Sequence, residues 1–379
     1  MKAVFVGGGT GGHVNPALSI ASYLKKREPD AEILYIGAAG GIEERLVPEA
    51  GFPLKTITIS GFQRKITPRN IRRNVKTVKN LFTSTTQAKR ILSEFQPDIC
   101  IGTGGYVSGP VIREAAKLKI PTVIHESNAY PGKTTKWLSR SVQAVMLAVP
   151  EAKQYFDKNV NSVVTGNPVR EEILTAEDAA SRKKLGLDER PLILSFGGSL
   201  GAQAINSAVI FMLQESAKEQ KFQHIHGYGG HDSDFMKRLR KAGVNEEKNP
   251  QIRAVSYLYD MPACLAAADL VICRSGAMTL TEIEAKGKAS ILIPSPNVAE
   301  NHQFHNANTL VQKGAAKMLE EKNLSGESLW QMTKSLLENP IELRRLGENA
   351  HKIQDFDANA RIYREMKRAI KMKDQKKFE

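Results

Sequence analysis

The stretch Val271–Ala307, VICRSGAMTLTEIEAKGKASILIPSPNVAENHQFHNA, decides the fold. Val271-Ile272-Cys273 reads as a short buried strand and Arg274–Ala277 as a turn of small residues. The residues that follow predict a helix from near Met278 to about Gly287. A second apolar strand follows at Ser290–Ile293, stopped by Pro294 and Pro296. Such a turn leaves backbone N–H groups unpaired at a helix N-terminus, where they attract phosphate. Glu282, in the first turns of that helix, can accept two hydrogen bonds from a vicinal diol such as ribose. A helix cap followed by an ordinary acidic residue is the plainer account of the same letters.

Working outward, the same grammar recurs twice earlier and once just before. Lys2–Val6 is a strand, Gly7-Gly8-Gly9-Thr10-Gly11-Gly12-His13 a glycine loop, and a helix runs from about Asn15-Pro16 to Lys26, with Pro16 in its first turn. Strand two, Ile33–Ile36, ends in Gly37-Ala38-Ala39-Gly40-Gly41 with no carboxylate, which disfavours a dinucleotide oxidoreductase. Asp98–Gly102 leads through Thr103-Gly104-Gly105-Tyr106 into a helix ending near Lys119, and Leu192–Phe196 through Gly197-Gly198-Ser199 into a helix ending near Ser216. Three such turns predict an α/β protein of two Rossmann-like, doubly wound domains facing across a cleft. Close helix–strand packing explains some of these glycines without any ligand. The expected domains are 1–166, with a Lys/Arg-rich C-terminal helix over 358–379 packing back on it, and 167–357. Thr165-Gly166-Asn167-Pro168-Val169-Arg170 reads as the crossover between them.

Composition excludes several classes. The chain has 379 residues, 41% apolar and 25% charged, as expected of a globular protein with two domains. Cys100, Cys264 and Cys273 are odd in number, lack metal spacing and sit in or beside apolar runs, so buried thiols in a reducing compartment are expected. The N-terminal apolar run is too short for a signal peptide, and no run reaches membrane-spanning length. A cytoplasmic protein is expected. Of the net charge of +14, residues 1–150 carry +11, with 21 Lys/Arg against 10 Asp/Glu. That bias calls for an anionic partner: a phosphorylated substrate or an anionic membrane, with nucleic acid ranked last because aromatics are 6% and no stacking platform stands out.

The bias has a source. Ile66–Phe82, ITPRNIRRNVKTVKNLF, has an apolar stripe at helical spacing, Ile71, Val75, Val78 and Phe82. Seven basic residues accompany it between Arg64 and Lys79, and residues 61–80 contain no acidic one. A solvated basic face over a core-facing stripe and a peripheral membrane helix both read this way. Trp137, between Lys133, Lys136 and Arg140, could extend the second arrangement. The strand Pro121–Glu126 ends in His125-Glu126-Ser127-Asn128, where such folds place ligands. His125 reads as a satisfied core histidine, and Glu126 and Asn128 as site candidates. Asp232-Ser233-Asp234 spells a metal-binding triplet, but it precedes Phe235-Met236-Lys237-Arg238 and reads as a helix cap.

GGGTGGHVNPALSIA, IGTGGYVSGP, HESNAYPGKTTKWLSR, GNPVR, GGSLGAQAIN and RSGAMTLTE occur in this order. Together they resemble the family 28 type of GT-B glycosyltransferase, which moves N-acetylglucosamine from UDP-N-acetylglucosamine to lipid I, an undecaprenyl-pyrophosphoryl N-acetylmuramoyl-pentapeptide. The product is lipid II, the precursor of the peptidoglycan cell wall. The resemblance runs through essentially the whole chain. It implies a peripheral enzyme at the cytoplasmic face of the cell membrane, with an N-terminal acceptor domain and a C-terminal donor domain. It also implies inversion at the anomeric carbon, with attack by the acceptor's C4 hydroxyl.

Carried over, the donor contacts fall on Thr10, Gly11, Gly12, Asn128, Arg170, Ser199, Leu258, Ala277, Met278, Thr279, Leu280, Thr281, Glu282 and Gln303. Glu282 takes the ribose and Leu258 lies beside uracil through its backbone. His13 corresponds to the general base, with Glu126 a second catalytic candidate. At a helix N-terminus the dipole favours the neutral imidazole, which can accept a proton. A structural role for His13, hydrogen-bonded to its own loop, is the other account. Gly104, Gly105 and Tyr106 are assigned to the acceptor's pyrophosphate. No cofactor or metal is expected; charge on the departing UDP would be met by the helix N-terminus, Ser199 and Arg170. Another GT-B glycolipid glycosyltransferase would share the donor cassette but not GGYVSGP and HESN. The presence of His13, Glu282 and Gln303 weighs against a non-catalytic sugar-nucleotide-binding or scaffold protein, and a turnover assay separates the two.

Overall fold

Apolar runs of four or five residues without polar alternation suit strands covered on both faces, and the chain uses them for two parallel sheets. A computed structural model of the protein describes residues 1–59, 83–198, 200–298, 301–355 and 357–375. The basic stretch Ile66–Phe82 and Ser199 therefore lie outside the described residues. The chain divides into two units, Met1–Pro168 with Phe356–Glu379, and Val169–Asp355.

The first unit holds β1 (Lys2–Val6), β2 (Glu32–Ala38), β3 (Leu54–Ile57), β4 (Ile99–Gly102), β5 (Thr122–Glu126), β6 (Ala144–Leu147) and β7 (Ser162–Val164). They form one parallel sheet in the order β3-β2-β1-β4-β5-β6-β7. Along β1, Val4 and Val6 enter one core while Ala3 and Phe5 enter the other, so both faces are buried. The strand order reverses between β1 and β4, and such a switch point opens a crevice beyond the strands' carboxyl ends. The two early glycine turns both sit there.

The second unit repeats the plan with β8 (Leu192–Phe196), β9 (Gln223–Gly227), β10 (Ile252–Val255), β11 (Leu270–Cys273), β12 (Ala289–Leu292) and β13 (Lys317–Met318), in the order β10-β9-β8-β11-β12-β13. Its switch point lies between β8 and β11, which places the Gly197–Ala202 turn beside Arg274–Ala277.

Two local expectations need correction. The first helix is Gly11–Arg27, not Asn15–Lys26: Thr10 is extended at the N-cap, and the amides of His13 and Val14 already donate to its carbonyl. Pro16 therefore sits in the second turn, and His13 is inside the helix. The helix expected to end near Lys119 is Ser108–Lys117, because Lys119 turns to positive φ. The helix Ala358–Gln375 belongs to the first unit, where Ile362, Met366 and Ala369 are buried against the Phe5 side of the sheet.

Candidate active site

In the first unit the glycine turns after β1 and β4 touch. The Gly8 amide donates to the Gly104 carbonyl at 3.3 Å, and Thr103 Oγ1 donates to the His13 carbonyl at 2.6 Å. Ser108 Oγ donates to the Gly104 carbonyl at 2.6 Å and tethers the second turn to its own helix. Between them stands the half-buried His13 ring. Its Nδ1 lies 3.2 Å from the Gly8 carbonyl and 3.1 Å from Thr10 Oγ1. A carbonyl only accepts, so the contact with Gly8 is a hydrogen bond in the tautomer with the proton on Nδ1 and the lone pair on Nε2, whereas in the other tautomer Nδ1 accepts from the Thr10 hydroxyl. The ring edge bearing Nε2 packs at Gly104, where a Cβ would come within 3.1 Å of Nε2. The structure thus brings Thr10 and Gly104 to the His13 ring, and Gly105 and Tyr106 to Gly8 and Gly9 of the same turn.

One residue here escaped the sequence reading. Glu43 is fully buried beneath the first glycine turn, and its Oε1 accepts from the Gly9 amide at 3.1 Å and the Ala38 amide at 3.4 Å. A Cβ on Gly8 would lie 1.8 Å from that oxygen. The inner side of the first glycine turn therefore holds a carboxylate. Burial first, and then the Glu43 charge, push the Tyr35 and Tyr106 hydroxyls above the usual phenol range.

Glu126 and Asn128 are also brought together, as partners. Glu126 Oε1 accepts from the Asn128 amide at 3.0 Å and from Asn128 Nδ2 at 2.9 Å, while Oε2 accepts from the Gly132 amide at 3.0 Å. Both oxygens are thus engaged in shaping the loop 127–132. His125 Nε2 meets the Gly166 carbonyl at 3.0 Å, and burial lowers its pKa.

In the second unit the expected helix is Ala277–Lys286, with extended Gly276 at its N-cap, no side chain capping it and no acidic residue in its first turn. Its first amides are therefore available to an anion. Ser275 Oγ donates to the Gln303 carbonyl at 2.8 Å, and the Ser295 amide donates to Gln303 Oε1 at 2.9 Å. Those bonds hold Gln303 with its amide nitrogen still able to donate. Glu282 is buried, and Arg170 grips one of its oxygens, with Nε at 2.9 Å and Nη2 at 2.6 Å from Oε1. Burial raises the Glu282 pKa against the opposing pull of that guanidinium. Oε2 accepts no hydrogen bond among the described residues. Half-buried Leu258 packs against Gly227 at the end of β9.

The acidic triplet behaves differently from a cap. Asp234 occupies the N-cap of Phe235–Lys241 without any side-chain capping bond. Asp232 is the working member: it pairs with Arg238 and accepts from Asn206 Nδ2 at 2.8 Å. Asn206 Oδ1 lies 3.2 Å from His226 Nε2, and His226 Nδ1 meets Ser195 Oγ at 2.7 Å. No group of three or more metal-ligating side chains occurs among the described residues.

Two parallel α/β units, each with glycine turns and an open helix N-terminus at its switch point, make this a GT-B glycosyltransferase fold. Residues 3–147 match the glycosyltransferase family 28 N-terminal domain and residues 192–361 its C-terminal domain. The chain is 44% identical over 374 residues to the UDP-N-acetylglucosamine--N-acetylmuramyl-(pentapeptide) pyrophosphoryl-undecaprenol N-acetylglucosamine transferase of Acetivibrio thermocellus, covering 98% of this chain and 99% of that one. The enzyme of the same name from Lactococcus lactis is 39% identical over 363 residues, covering 96% and 98%. The crystal structure of Acinetobacter baumannii MurG superposes with a TM-score of 0.73 at 27% identity, over 97% of this chain and 99% of that one. The chain belongs to glycosyltransferase family 28 and, within it, to these N-acetylglucosamine transferases.

Proposed function

We infer that the protein transfers N-acetylglucosamine from UDP-N-acetylglucosamine to the C4 hydroxyl of the N-acetylmuramoyl-pentapeptide of lipid I, with inversion, giving lipid II for the cell wall. One observation carries this reading: the similarity to transferases of that name runs through both units, at 39–44% identity over 96–98% of the chain. The geometry supplies a division of labour.

In the second unit, Glu282 Oε2 and the Gln303 side-chain amide hold the ribose and the donor sugar. The open N-terminus of Ala277–Lys286 meets the diphosphate, and the partial positive charge there stabilises UDP as it leaves. Ser199 and the Leu258 backbone complete the donor contacts, and Arg170, while engaged with Glu282, opposes the protonation that burial favours. In the first unit, Gly8 fixes the His13 tautomer so that Nε2 takes the acceptor's hydroxyl proton as the glycosidic bond forms. Thr10, Gly11 and Gly12 present backbone groups to the donor, and Gly104, Gly105 and Tyr106 hold the acceptor's pyrophosphate. Glu126 positions Asn128 by occupying its amides.

The enzyme works without metal and docks from the cytoplasmic side on anionic lipid. The basic stretch Ile66–Phe82 and Trp137 support the docking. Trp137 is 55% exposed, with Arg113 over its ring, and each basic side chain at such a surface contributes about 1 kcal/mol.

The test is a single assay with UDP-N-acetylglucosamine and a short-chain lipid I analogue, run with and without EDTA and with the acceptor in solution or in anionic vesicles. The expected product is a β-1,4-linked disaccharide, formed equally with chelator and faster on vesicles. No disaccharide in any arm would overturn the transfer; loss on chelation would overturn the metal-free reading; no gain on anionic over neutral vesicles would overturn the docking.

A further inference from the structure

The mechanism leaves the buried carboxylate of Glu43 unused. Glu43 is fully buried, and its carboxylate is hydrogen-bonded by backbone amides. Oε1 accepts from the Gly9 and Ala38 amides, and Oε2 is buried with no hydrogen-bond partner among the described residues. Three glycines make room for it. A Cβ would lie 1.8 Å from Oε1 at Gly8, 2.1 Å from Oε2 at Gly41 and 2.9 Å from the Glu43 Cβ at Gly37. The first glycine turn is thus built around this side chain. A buried carboxylate with an unsatisfied oxygen is costly, and residues kept at such cost in a fold's interior point to a role other than stability.

The route from Glu43 to the chemistry is short. The Gly9 amide it holds belongs to the same peptide group as the Gly8 carbonyl, which faces His13 Nδ1. A peptide group is planar, so fixing its N–H fixes the direction of its C=O. We propose that Glu43 is a positioning residue for the base: it orients the Gly8–Gly9 peptide, and that peptide dictates which ring nitrogen of His13 carries the lone pair. The proposal rests on the reading of His13 as the base. Glu43 is shut off from solvent beneath the first glycine turn and lies wholly within the first unit.

The experiment compares Glu43→Ala, Glu43→Gln and Glu43→Asp with His13→Ala, following kcat, the KM for UDP-N-acetylglucosamine, and the acid limb of the pH profile. Glu43→Ala should lower kcat between about tenfold and a hundredfold, the usual effect of misplacing a catalytic group by about 1 Å. The donor KM should change by less than about twofold, since uniform binding is untouched. Removing a negative charge and loosening the Nδ1–H···O=C bond both disfavour the imidazolium, so the acid limb should move to lower pH by about half a unit. Tyr35 and Tyr106, the titratable side chains facing Glu43, have hydroxyl pKa values raised above the usual phenol range and so do not contribute to that limb. Glu43→Gln keeps an oxygen for the Gly9 amide and should restore most of kcat. Should Glu43→Ala not fold, Glu43→Asp, whose carboxylate is drawn back by one methylene, carries the test with an intermediate loss.

Unchanged kcat in Glu43→Ala, or a loss with the acid limb unmoved and no rescue by Gln, overturns the proposal. Full activity in His13→Ala overturns the reading of the base instead.

Discussion

The turns after β1 and β8 are near copies in sequence, GGGTGG and GGSLGA, and both pack against a second glycine turn, but only the first also encloses a charged side chain. Besides meeting Gly104 and Gly105, it holds Glu43 where a Cβ of Gly8 would be. The described part of the second is packed by another glycine turn. A Cβ on Gly201 would lie 2.1 Å from the Tyr228 carbonyl, and one on Gly229 would lie 2.0 Å from the Gly201 amide nitrogen. Backbone against backbone makes a rigid, electrically quiet floor. A carboxylate against backbone makes a floor that is charged, directional and able to orient a neighbouring histidine. The comparison teaches that a glycine motif reports only where a side chain is excluded. What excludes it decides the chemistry.

The largest expected effect breaks the comparison at its catalytic side. His13→Ala should lower kcat by about 10²- to 10⁴-fold, the usual weight of a general base, with donor affinity measured by titration unchanged. A fall in donor affinity in place of kcat would make the first turn a binding element like the second.

Next comes the donor side. Glu282→Ala removes an acceptor from the diol and leaves Arg170 without its partner. The loss should be about 1–3 kcal/mol, read as a KM for UDP-N-acetylglucosamine raised between about fivefold and a hundredfold. Unchanged affinity would remove Glu282 from the site. The raised pKa of Glu282 adds a sign: protonation sets in at higher pH than for an ordinary carboxylate, so donor affinity should begin to fall earlier as pH drops.

The smallest effect distinguishes the two units by acid sensitivity. In the second, burial holds His226 down to about 3 and His224 well below its usual range, and both meet Ser195 Oγ at 2.7 Å. In the first, only His125 is so placed among the described residues. A histidine whose folded pKa is depressed contributes stability that is present above its unfolded value near 6.5 and is lost as pH falls toward the folded value. Each ring lost this way steepens the decline by about 1.4 kcal/mol per pH unit. Hydrogen exchange between pH 6.5 and 4.5 should therefore show the amides of β8 and β9 losing protection faster than those of β1 and β4. Equal loss would refute the assignment.

Much of this was legible in the sequence because it is local. The strand–turn–helix at Leu270–Lys286 and the strands β1 and β8 follow from contiguous apolar runs bounded by glycine. What was not legible joins residues far apart. Gly9 and Glu43 are 34 positions apart and Arg170 and Glu282 are 112, and no periodicity links them. The strands β7 and β13, of three and two residues, are too short to show any pattern, and their pairing comes from the neighbour already in place. Pro16 misled because its preference for a first turn is statistical. Thr10, extended and accepting two helix-starting amides, fixes the start of the helix instead.

The helix Ala358–Gln375 has a consequence for the order in which the molecule is made. Its Ile362, Met366 and Ala369 cover one face of the first unit's sheet, and its Tyr363 and Lys367 reach Glu28 at 2.6 and 3.0 Å. The second unit, by contrast, is one uninterrupted segment, Val169–Asp355. Domains usually mature in the order of their synthesis. Here the unit begun first has an open apolar face until residues beyond 360 emerge from the ribosome, and by then every residue of the second unit has been made. The second unit can therefore finish folding while the first is still waiting for its last helix.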